Sequence, residues 1–137
     1  MQRILVPVDG SPSAVQAVKH VIAMLKMGAE GEVHLLHVQA PLLLRDVPDI
    51  AKPGLVERLG FDEADHAFAS AKRLLEDAGV RYHAQTALGD PAPEIALYAD
   101  VHGCSAIVMG TRGMGTIQNL LLGSVATKVL STWSRYR

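Results

Sequence analysis

The chain has 137 residues, 49% hydrophobic and 20% charged, with a formal net charge of -1 and a single cysteine. That length suits one domain, residues 1–137, able to bury roughly two thirds of the surface its unfolded form would expose. The charge balance excludes a basic nucleic-acid footprint and an acidic disordered tail.

RILVPV (3–8) is a short, nearly continuous apolar run, so the first strand is expected to be buried on both faces. The apolar stretch of MQRILVPVDGS is too short for a signal peptide, and no run approaches the roughly 20 residues of a membrane span. A cytoplasmic protein without membrane contact is expected. Asp9-Gly10-Ser11-Pro12 then reads as a turn into a helix, with Ser11 as N-cap and Pro12 at the first helical position. Ala14, Val18, Val21, Ile22 and Leu25 share one face of that helix, which Gly28 or Gly31 ends. EVHLLHV (32–38) is the second strand, and Gln39 to Pro53 reads as a loop. Phe61, Ala64, Phe68, Ala71 and Leu75 form the apolar stripe of a second helix, with Gly79 where a C-cap belongs. VRYHAQTAL (80–88) alternates, as a strand near a sheet edge does. GDPAPEI starts a third helix with Asp90 as N-cap and Pro91 in the first turn, carrying Ile95, Ala96 and Ala99 inward. Cys104 precedes the fourth strand, SAIVM (105–109), and is expected to be a buried small hydrophobe. A last helix begins at Ser124.

Alternating strands and helices imply right-handed crossovers and a mostly parallel sheet covered on both faces, a three-layer α/β/α arrangement. Ligands of such sheets bind beyond the carboxyl ends of the strands, where the strand order reverses. VDGS after the first strand and GTRGMGTIQNLLLGS (110–124) after the fourth would meet there if those two strands are neighbours. Glycines suit turns, and they also let a ligand approach bare backbone N–H groups.

The spacing G-x2-G-x9-G-S, from Gly110 through Gly113 to Gly123-Ser124, combines with a strand ending in PVDGS, a strand ending in LLHV and GDPAPEI opening the third helix. In these features the chain resembles the universal stress protein family, in its nucleotide-binding branch, from about Arg3 to Leu130. The resemblance implies a sheet of order 3-2-1-4-5, with ATP or another adenine nucleotide between strands 1 and 4. It also implies roles for single residues. Pro7, Val8 and Asp9 would line the exit of the first strand, with Asp9 near the ribose. The main chain of Val38 would meet the adenine edge, and Met109 and Gly110 the ribose side. Gly113, Gly123, Ser124 and Val125 would surround the phosphates. Apart from the resemblance, Arg112 could reach a phosphate or point into solvent.

Simpler readings stand beside these: Asp9-Gly10 is an ordinary turn pair, and Ser124 could cap a helix alone. Loop geometry alone would make this a structural module that binds no nucleotide. The P-loop spacing is absent and Lys128 lies inside the last helix, so turnover should be slow or absent. A slow phosphoryl-transfer enzyme is the remaining reading. The six histidines form no metal-binding motif and read as ordinary packed or solvated side chains, with His34 and His37 on opposite strand faces. Any divalent ion such as magnesium is expected to come with the nucleotide phosphates. The function expected is that of a stress-response or regulatory module whose bound state changes its surface or assembly.

The resemblance weakens at the C-terminus, where family members carry a strand of the PVLVV type. LSTWSRYR is too short and polar for that strand, which leaves an expected sheet order of 3-2-1-4 with strand 4 exposed. Self-association, as a homodimer or another homo-oligomer, is then expected to cover that edge or the last helix. The alternative is a shortened chain prone to aggregate.

Overall fold

The computed structural model describes residues 2–28, 30–39 and 55–110, with side chains from Ala64 onward in the third span. Its elements alternate: β1 (Gln2–Pro7), α1 (Pro12–Lys26), β2 (Gly31–Gln39), α2 (Leu55–Ala78), β3 (Tyr82–Leu88), α3 (Pro91–Val101) and β4 (Ala106–Ile107). All three strand pairings are parallel, and the sheet order is β3-β2-β1-β4. The expected strand order is therefore found.

Pleating sends successive side chains to opposite faces, and β1 uses both for core. Ile4 and Val6 join Val33 and Leu35 of β2 beneath α1 and α2, where Val18, Val21, Phe68 and Leu75 are buried. Leu5 and Leu36 point the other way, onto Ile95, Tyr98 and Ala99 of α3. Each such large side chain contributes roughly 1.5–3 kcal/mol when fully withdrawn from water. The result is three layers.

Local signals set the boundaries. Ser11 caps α1 through its hydroxyl, which accepts from the Ala14 N–H at 3.2 Å, and Pro12 opens the helix. Asp90 stands in the extended backbone geometry of an N-cap, but its side chain makes no capping hydrogen bond to α3. At Gly79, φ of +71° ends α2 as expected. That helix begins at Leu55, earlier than the stripe from Phe61 suggested, and the side chains of Phe61, Asp62 and Glu63 are outside the described residues. Most of the loop expected over 39–53 is outside them too, while Gln39 belongs to β2. β4 is shorter than the five residues of SAIVM, yet the ladder continues past its ends. Ser105 N–H donates to Arg3 O at 2.8 Å and Val108 N–H to Leu5 O at 2.9 Å. Among the described residues no helix is long and apolar enough to cross a membrane.

Candidate functional site

The strand order reverses at β1, which leads through α1 to β2 on one side and pairs with β4 on the other. The carboxyl ends of β1 and β4 therefore open onto the crevice where such sheets hold ligands. Pro7 ends β1, and Val8 is buried with its N–H donating to Leu36 O at 2.9 Å. The His37 Nδ1–H donates to Val8 O at 3.0 Å and tethers this exit to β2. Asp9 is exposed and folds its carboxylate back to accept from the Ser11 N–H at 2.9 Å. Gly10 takes φ of +84°, and a Cβ there would lie 3.3 Å from the His66 ring and 3.4 Å from the Ala67 main chain. Both the turn and the close approach of α2 thus call for glycine.

Val38 lies at the end of β2, and its side chain and that of Met109 both pack against the α3-side core. Gly110 sits beside α1, where an added Cβ would collide with Ser13. Contact with Ser13 therefore gives this glycine a reason within the fold. Between α1 and the strand exit lies a groove of about 480 Å³, lined among others by Ser13, Gln16, Lys19, His20, Met109 and Gly110. Of the residues singled out from the sequence, Pro7, Val8, Asp9, Val38, Met109 and Gly110 come to the carboxyl end of the sheet. Arg112, Gly113, Gly123, Ser124 and Val125 lie outside the described residues, as do the last helix and the tail after Leu130. His66, Lys19 and His20 were not anticipated at this end. Nothing local in the sequence marks them, because α1 and α2 bring them there by packing.

A second polar cluster occupies the amino end of the sheet. Glu32 and His34, two apart on β2, face the α3 side together, and register pairs His34 with His83 of β3. Glu32 Oε1 accepts from His34 Nε2–H at 3.1 Å and lies 3.4 Å from Arg3 Nε, while Oε2 lies 3.6 Å from His83 Nε2. The Tyr98 hydroxyl sits 2.7 Å from His34 Nδ1, and its ring stacks on His102 at 3.8 Å. The hydrogen bond from His34 holds the Glu32 carboxyl below its usual range. Burial opposes that shift, and the charges of His34, His83 and Arg3 reinforce it. Cys104 is buried in the α3-side core, and burial pushes its thiol up. Period-two alternation could have paired Glu32 with His34 from the sequence; only the β2–β3 register adds His83.

Comparison with known proteins agrees with this architecture. The family model of the universal stress protein family matches residues 1–134. Universal stress protein MJ0531 of Methanocaldococcus jannaschii is 33% identical over 129 residues, covering 94% of this chain and 75% of that protein. Universal stress protein MJ0577 of the same organism is 34% identical over 143 residues, covering 94% and 88%. The solved structure of MJ0577 superposes with a TM-score of 0.71 at 32% identity, covering 95% of this chain and 88% of that one. A family protein from Arabidopsis thaliana, solved with AMP bound, has the same fold at 20% identity, with a TM-score of 0.63 and coverage of 87% and 82%. With that match over nearly its whole length, the chain belongs to the universal stress protein family.

Proposed function

We propose that this protein is a stress-response module that binds an adenine nucleotide, ATP first among them, in the crevice between the carboxyl ends of β1 and β4. One observation carries the reading. The turn after β1 and the start of the glycine-rich segment after β4 lie on adjacent strands at the point where the strand order reverses. The AMP held by the Arabidopsis protein lends support from within the family.

Chemistry assigns parts to the crevice. The carboxylate of Asp9 stands at the N-terminus of α1, where an anion is favoured and where it would repel a phosphate. A ribose hydroxyl, which donates, is the partner it suits. Phosphates belong with the donors further along, at Gly113, Gly123 and Ser124, with Arg112 within the same segment. Val38 offers main-chain groups to the adenine edge, and Met109 an apolar wall. A magnesium ion would enter with the phosphates. With no P-loop lysine in the sequence, hydrolysis is expected far below a typical enzyme's roughly 10 per second, as steady-state phosphate release will measure. Calorimetry with ATP, ADP and AMP tests the binding itself. Saturable binding of at least one is expected, and no heat at millimolar nucleotide would leave the glycine segment a matter of loop geometry.

A further inference from the structure

We propose that Glu32, His34 and His83 form a binding site for a divalent ion of the zinc type at the amino end of the sheet. One donor atom from each residue lies within 4.8 Å of the others, and the carboxylate reaches both rings, with Oε1 3.1 Å from His34 Nε2 and Oε2 3.6 Å from His83 Nε2. Zinc binds nitrogen at 2.0–2.1 Å and carboxylate oxygen at 2.0–2.2 Å, which for tetrahedral ligands means donors roughly 3.4 Å apart. The cluster thus needs only small side-chain shifts to close on an ion. Two imidazoles and one carboxylate are a donor set that suits zinc over calcium or magnesium, which prefer oxygen alone.

The setting supports the same ion. His34 is buried and its Nδ1 faces the Tyr98 hydroxyl at 2.7 Å, so the ring is held in place from behind. Ligand histidines are held in this way by a hydrogen-bonded neighbour on the second ring nitrogen. An ion on Nε2 requires the neutral ring's single proton to sit on Nδ1, donated to the Tyr98 oxygen, in place of the Nε2–H donated to Glu32. His83 is on β3, at one edge of the described sheet, with its side chain 58% exposed. An ion can therefore enter from solvent and keep a water as fourth ligand. One group opposes it: the Arg3 guanidinium, whose Nε lies 3.4 Å from Glu32 Oε1 and whose Nη1 donates to His102 O at 3.0 Å. The Arg3 side chain is 53% exposed, so it can withdraw when an ion takes its place. This site is independent of the nucleotide reading, since Glu32 and Val38 are six residues apart on one strand, about 20 Å.

The experiment uses the full chain, stripped with chelator and free of nucleotide, titrated with zinc by calorimetry and with cobalt by visible absorption. One equivalent of zinc and a cobalt spectrum of a four-coordinate nitrogen–oxygen site are expected. His83→Ala removes an exposed ligand without touching the core and should weaken zinc at least about tenfold, since even a ligand's hydrogen-bonded neighbour is worth roughly 10–100-fold. Glu32→Gln should do the same. Arg3→Gln should tighten zinc, because it removes the opposing charge. The proposal is overturned if the chain takes up no zinc at 100-micromolar levels. It is equally overturned if His83→Ala binds zinc as tightly as the parent, or if Arg3→Gln does not tighten it.

Discussion

The two ends of the sheet are built from different material. At the carboxyl end the exits of β1, β2 and β4 present main chain, turns and small residues, with Asp9 as the acid among Pro7, Val8, Gly10 and Ser11. At the amino end the polarity is carried by side chains fixed on strands: Arg3, Glu32, His34 and His83, backed by Tyr98. Loops leaving parallel strands can shape themselves around a ligand, whereas strand residues are pinned by register. The end whose ionisable side chains are fixed on strands is therefore not the end at which parallel sheets of this order hold ligands. Each end has its own chemistry, and the shared core of β1 and β2 joins them.

A cut between the ends should damage both. Leu5 is fully buried against α3, midway along β1, and Leu5→Ala should lower stability by about 2–5 kcal/mol in urea unfolding. Unaltered stability would mean that the two ends do not rest on one core. Next in size is a change confined to one end. Asp9→Ala should weaken ATP by about 1–3 kcal/mol, the cost of deleting a charged hydrogen-bond partner, while Glu32→Gln leaves ATP affinity unchanged. Calorimetry on the two variants checks this, and equal losses would erase the distinction between the ends.

Ser11→Ala separates scaffold from site at the carboxyl end. It removes the cap on α1 and should cost about 1 kcal/mol in thermal or urea unfolding. A loss near zero would show that Asp9 alone holds the turn. The smallest effect is one of pH at the amino end. Because the folded state holds the Glu32 carboxyl below its ordinary pKa of 4.5, this group's stabilisation is fully present above that value. It fades as pH falls through the lower folded-state pKa. The stability difference between the parent and Glu32→Gln should therefore shrink as pH drops below about 4.5. A difference that grew on acidification would reverse the sign of this coupling.

What could be read in advance follows the range of the forces involved. β1, the Ser11 cap, the apolar faces of α1 and α3 and the parallel alternation are local, and each was legible from periodicity or from one or two turn residues. The opposite facing of His34 and His37 also followed from strand period alone: His34 meets Tyr98 of α3, and His37 lies against Phe68 of α2. Features made by tertiary contact were not legible. The closeness of His66 to Gly10 and of Ser13 to Gly110 depends on how helices settle on the sheet. The grouping of His83 with Glu32 depends on the register of two strands separated by α2. Gly110 is the instructive case, since its spacing suggested a ligand while the fold itself already requires the space beside Ser13.

Amide chemical-shift mapping during an ATP titration of the full chain decides whether nucleotide binds at the carboxyl end of β1 and β4. The largest shifts are expected at Asp9, Gly10, Ser11, Ser13, Val38, Met109 and Gly110, with Arg3, Glu32, His34 and His83 undisturbed. Shifts centred on Glu32, His34 and His83, or an absence of shifts at saturating ATP, would contradict it.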